Sequence, residues 1–166
     1  MRELFKPKEI QFQTKIIGKQ IADDHRGDKT PIVMVGLLNG AFAFYSDLVR
    51  ATPVDMECDF MRVKSYTNRK QGDIVISKDL ETPIKGKHVY IVDDILDSGN
   101  TMNAVIDYLE VKKPASISIV TLITRETSPI PEHKSTCLSL FMVHPHIYVK
   151  ITTKHVCLVT IKPSAT

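Results

Sequence analysis

The chain has 166 residues, room for one domain spanning 1–166 with a substantial core. Hydrophobic residues at 43% and charged residues at 25% are ordinary globular proportions, and no apolar run reaches membrane-spanning length. A net charge of +3 suits a small anionic ligand and does not by itself argue for nucleic acid.

Pro7 and Lys8 precede a stretch from Glu9 to Ile21 in which Ile10, Ile16, Ile17 and Ile21 recur near helical spacing, which predicts an amphipathic helix. Asp23 to Thr30 is a polar link. Pro31-Ile32-Val33-Met34-Val35-Gly36 predicts a buried strand, followed by Leu37, Leu38, Asn39 and Gly40. Ala41 to Ala51 then reads as a helix with Phe44, Tyr45, Leu48 and Val49 turned inward. The turn at Leu38, Asn39 and Gly40 is thus a strand-to-helix junction, although an ordinary Asn-Gly turn accounts for the same residues. Val54 to Val63 is apolar enough for a strand. Lys64 to Gly72 is polar and basic and predicts an exposed, mobile connection to a returning strand from Asp73 to Ser77. Asp79 to Lys87 is a turn containing Pro83 and Gly86.

Val89-Tyr90-Ile91-Val92 predicts a buried strand that runs into Asp93 and Asp94, then Asp97, Ser98, Gly99, Asn100 and Thr101. A helix is expected from Asn100 to Glu110, stopped near Lys112-Lys113-Pro114, and Ser116 to Ile123 alternates into another strand. Strands alternating with helices between residues 31 and 123 imply an α/β fold with a mostly parallel twisted sheet. Small residues at a helix N-terminus present unpaired amides and the positive end of a dipole, which favour a phosphate dianion. Asp93 and Asp94 beside it can accept from vicinal sugar hydroxyls or reach a metal, and Asp97 can act as a base. A phosphorylated sugar satisfies all three demands. The competing reading is that these carboxylates cap the helix and fill a turn.

Cys58, Cys137 and Cys157 lack the spacing of a disulfide framework or a zinc–thiolate site. Met1-Arg2-Glu3-Leu4 does not begin a signal peptide. A soluble, cytoplasmic protein is expected.

The segment from Val89 to Met102 resembles the phosphoribosyl-diphosphate signature of the type I phosphoribosyltransferases in their hypoxanthine-guanine form. Val35-Gly36-Leu37-Leu38-Asn39-Gly40-Ala41-Phe42 resembles the first loop of that family. Asp59-Phe60-Met61-Arg62-Val63-Lys64-Ser65-Tyr66 resembles its next strand and closing loop, and the likeness runs from about residue 8 to 127. It implies the phosphoribosyltransferase fold with a small hood from the N- and C-terminal segments. The implied reaction is purine salvage with Mg²⁺ as cofactor. It passes 5-phosphoribosyl from phosphoribosyl diphosphate to N9 of hypoxanthine or guanine, giving IMP or GMP and pyrophosphate.

The resemblance also implies roles. Asp97 is the catalytic base, with Asp93 and Asp94 on the ribose hydroxyls and indirectly on the metal. Asp97, Ser98, Gly99, Asn100 and Thr101 hold the 5-phosphate. Leu38, Asn39 and Gly40 contact pyrophosphate, with a cis peptide bond before Asn39, and Ser65 and Tyr66 close over the site. Arg125, Tyr148 and Val149 receive the purine. Asn39 stands where members often carry a basic residue, Asp93 where Glu is usual, and the tail lacks the family's Gly-Tyr and later Asp. The family is usually dimeric or tetrameric, so a homodimer or homotetramer is implied. The alternative is a nucleotide-sensing, non-catalytic or RNA-binding regulatory homologue.

Overall fold

The computed structural model describes residues 2–65, 74–97, 99–125, 135–143, 147–151 and 157–161. In chain order these form β1 (Arg2–Phe5), α1 (Pro7–Asp24), β2 (Ile32–Leu38), α2 (Phe42–Ala51), β3 (Glu57–Ser65), β4 (Ile74–Lys78), β5 (His88–Leu96), α3 (Asn100–Glu110), β6 (Ser116–Arg125), β7 (Ser135–Val143), β8 (Ile147–Ile151) and β9 (Cys157–Ile161).

Pro7 at the first turn and Glu9, whose carboxylate accepts the Lys6 amide at 2.6 Å, start α1. The helix buries Ile10, Thr14, Ile17 and Ile21, whereas Ile16 faces solvent. The position that sequence periodicity missed is Thr14. Its hydroxyl donates to the Ile10 carbonyl at 2.7 Å, so it enters the core without an unpaired polar group.

Six strands form one sheet in the order β4-β3-β2-β5-β6-β7, with β4 antiparallel to β3 and the other neighbours parallel. β2 is buried along nearly its whole length because helices cover both faces. On one face Ile10, Ile17 and Ile21 of α1 and Phe44, Tyr45 and Leu48 of α2 pack on Ile32, Met34, Tyr90 and Val92. On the other, Met102, Val105, Ile106 and Leu109 of α3 pack on Val33, Val35, Val89 and Ile91. Alternate residues of the same strands therefore feed two cores, each large side chain contributing about 1.5–3 kcal/mol on burial.

The N- and C-terminal strands make a separate antiparallel sheet, β1-β9-β8, the hood the resemblance implied. Phe5, the last residue of β1, stacks on Phe141 of β7 with ring centroids 3.9 Å apart.

Candidate active site

The strand order sets the place of the site. From β2 the chain crosses through α2 to β3 on one side, and from β5 through α3 to β6 on the other. The direction of winding reverses between β2 and β5, which are hydrogen-bonded neighbours with Gly36 opposite Val92. A crevice outside the carboxyl ends of such a strand pair is where open α/β sheets bind ligands. Both strand-to-helix junctions singled out in the sequence open into this crevice.

The acidic pair lies on a strand and not in a turn. β5 continues through Leu96 because Asp93, Ile95 and Leu96 stay in register with Thr121, Ile123 and Thr124 of β6. The Asp94 amide donates to Asp93 Oδ1 at 2.9 Å, and the Ile95 amide to Asp94 Oδ1 at 2.9 Å. Burial first, and the neighbouring Asp94 carboxylate second, push the Asp93 carboxyl well above the ordinary range. The pair therefore retains a proton more readily than two exposed aspartates would.

Beyond Asp97 the chain turns at Gly99, whose φ of 75° is left-handed, and enters α3 at Asn100. Among the described residues no side chain caps this helix start, which leaves its first amides available to an anion. The charge expected to cap the helix is instead engaged elsewhere. Asp97 Oδ1 lies 2.6 Å from Arg125 Nε, where β6 ends beside β5. Arg125 is mostly buried and Asp97 exposed, with side-chain exposures of 14% and 69%. The two side chains thus meet at ion-pair distance while most of Asp97 stays open to solvent.

The first junction meets the second at one contact. The Leu38–Asn39 peptide is cis, and Gly40 packs so closely on the acidic pair that a Cβ there would fall 2.2 Å from Asp94 Oδ2. Only glycine fits without displacing that carboxylate. Sequence reasoning missed Arg62, whose Nη2 donates to Asn39 Oδ1 at 2.8 Å. It stands opposite Leu38 in the β2–β3 register, a relation visible only once those strands are paired. The neutral amide of Asn39 thereby holds a cation beside the loop.

The crevice thus gathers Leu38, Asn39, Gly40, Asp93, Asp94, Asp97, Gly99, Asn100, Thr101 and Arg125. Tyr66 and Ser98 lie outside the described residues, as do the side chains of Ser65, Tyr148 and Val149. The backbone of Ser65 ends β3, and Tyr148 and Val149 stand opposite Thr160 and Val159 in the hood sheet.

Acidic side chains beside a helix start at the switch point of a mostly parallel sheet make a candidate sugar-phosphate site. The phosphoribosyl transferase domain family matches residues 8–151, and the chain belongs to that family. It is 40% identical over 119 residues to a hypoxanthine phosphoribosyltransferase of Escherichia coli (strain K12), covering 70% of this chain and 67% of the relative. It is 45% identical over 116 residues to a hypoxanthine-guanine phosphoribosyltransferase of Aquifex aeolicus (strain VF5), covering 69% and 65%. Among solved structures, hypoxanthine phosphoribosyltransferase from Trypanosoma cruzi in complex with the product IMP superposes with a TM-score of 0.77 at 30% identity, covering 86% of this chain and 80% of that one.

Proposed function

We propose that the chain transfers 5-phosphoribosyl from phosphoribosyl diphosphate to N9 of hypoxanthine or guanine, releasing pyrophosphate and forming IMP or GMP. The observation that carries this reading is the meeting, at one strand pair, of a carboxylate pair, an amide-lined helix start and the Asn39–Gly40 loop.

The 5-phosphate sits on the amides of residues 97–101, with the hydroxyls of Ser98 and Thr101 as further donors. Asp93 and Asp94 accept from the ribose hydroxyls and fix the sugar ring for in-line attack. Their oxygen-only donor set fits Mg²⁺, which keeps several waters and prefers one or two carboxylates plus substrate phosphates. When bound, Mg²⁺ supplies charge neutralisation to the leaving pyrophosphate. Arg62, held by Asn39, supplies a protein cation on the same side. As the bond to pyrophosphate breaks, C1 becomes oxocarbenium-like and the purine must be nucleophilic. Asp97 then shares the purine N7 proton, and Arg125 keeps its carboxylate aimed. Arg125 also serves the exocyclic oxygen of the 6-oxopurine, with Tyr148 stacking on the base and Val149 at its edge. Ser65 and Tyr66 close over the site and exclude water.

Assembly as a homodimer or homotetramer and a cytoplasmic setting belong to the same reading. No helix among the described residues is long and apolar enough to cross a membrane. A non-catalytic nucleotide sensor is not favoured, because the relatives the chain resembles are named as hypoxanthine and hypoxanthine-guanine phosphoribosyltransferases.

The test is pyrophosphate release from phosphoribosyl diphosphate and Mg²⁺ with hypoxanthine, guanine and xanthine in turn. Release with hypoxanthine or guanine supports the assignment. No release with any purine, while IMP still binds, replaces it with the sensor reading.

A further inference from the structure

At the opposite end of the sheet, three metal-binding side chains converge that the transfer reaction does not use. His25 caps the end of α1, Asp28 lies in the turn after it, and His88 opens β5. One donor atom from each falls within 4.8 Å of the others. The two imidazoles face one another with ring centroids 4.5 Å apart, and His88 Nε2 lies 2.9 Å from Asp28 Oδ2. A surface cavity of about 450 Å³ opens beside them, with Asp55 and Glu57 as well as Lys29 on its wall.

Each of the three groups is held from behind by a fixed partner. His88 Nδ1 is 2.6 Å from the Ser116 hydroxyl, on the neighbouring strand at the paired position. His25 Nε2 is 2.7 Å from the Tyr90 hydroxyl, and Tyr90 is itself buried in the core. The Thr30 amide donates to Asp28 Oδ1 at 2.8 Å. Metal-binding histidines characteristically have the second ring nitrogen fixed in this manner, which sets tautomer and ring orientation. An ion pair between His88 and Asp28 would explain those two residues alone. It does not explain a second imidazole on the same point with its own buried orienting hydroxyl.

We propose that His25, Asp28 and His88 bind one divalent ion of the zinc class, with water completing a four-coordinate shell. Two imidazole nitrogens and a carboxylate oxygen select zinc and its transition-metal neighbours over Mg²⁺, which prefers oxygen ligands only. The ion fastens the end of α1 to the first residue of β5. The site is independent of the transfer chemistry, lying at the amino ends of the parallel strands.

Isothermal titration of the chelator-treated full chain with zinc chloride tests this. One ion per chain is expected, with binding lost in His88→Gln and in Asp28→Asn, an exposed position that leaves the core intact. Tyr90→Phe and Ser116→Ala, which remove only the orienting hydroxyls, should weaken zinc about tenfold or more. Neither change should alter phosphoribosyl transfer or the unfolding temperature measured in chelator. Absence of saturable zinc binding by the unaltered chain overturns the proposal. So does a zinc affinity that is the same in Asp28→Asn and Tyr90→Phe as in the unaltered chain, which assigns the ion to the cysteines or the C-terminal histidines.

Discussion

Replacing Asp93 by Asn should make the protein more stable at pH 8 while crippling transfer. The Asp93 carboxyl is raised by burial and then by Asp94, so folding draws a proton onto this group. A raised folded-state value penalises the fold above the unfolded value of about 3.9, and the penalty grows as pH rises toward the folded value. Two like charges 4–6 Å apart repel by about 3–4 kcal/mol at an effective dielectric of about 20, and the solvent-facing side of the pair roughly halves that. Asn keeps an oxygen for the Asp94 amide, which now donates to Asp93 Oδ1, so no hydrogen bond need be lost. The expected gain is therefore about 1–2 kcal/mol, or about 3–6 °C in unfolding temperature for a chain of this size. Calorimetric scans from pH 8 down to pH 4 measure it, and the gain should shrink on acidification as the native carboxyl takes up its proton. A lower unfolding temperature for Asp93→Asn at pH 8, or a gain that grows as pH falls, refutes the reasoning.

Gly40→Ala should push the Asp94 carboxylate aside, since the new Cβ would lie 2.2 Å from Asp94 Oδ2. Steady-state kinetics should show a loss of about 100-fold in kcat/KM, the order of cost of misplacing a positioning group by about 1 Å. Arg62→Gln should raise KM for phosphoribosyl diphosphate about 5- to 10-fold with a smaller change in kcat, and adding Asn39→Lys should recover part of it. Asp97→Asn should lower kcat by about 10²- to 10⁴-fold, as loss of a general acid–base group does, while IMP binding measured by calorimetry persists.

The local segments of the sheet were largely legible because each strand and helix carries its own period. Asn100–Glu110 is a helix with the bounds the capping and stop residues suggested, and Phe44, Tyr45 and Leu48 point inward as expected. Boundaries moved where pairing overrode composition. β5 runs on through Asp93 and Asp94 because β6 supplies a hydrogen-bonding partner that sequence pattern does not display. β6 likewise extends to Arg125, which brings that residue onto Asp97. The acidic pair, Asp97 and the Asn39–Gly40 turn were legible as separate motifs from residue type and spacing. Their convergence was implied only by the family resemblance, because spacing alone does not show that β2 and β5 are neighbours. Arg62 on Asn39 and the His25–Asp28–His88 cluster are hidden for the same reason, each joining residues far apart in the chain.

The account depends most on where a nucleotide sits. A crystal of the chain soaked with IMP should place the 5-phosphate on the amides of the 97–101 loop, the ribose hydroxyls on Asp93 and Asp94, and the purine beside Asp97 and Arg125. A nucleotide bound elsewhere, with the carboxyl ends of β2 and β5 empty, contradicts the account.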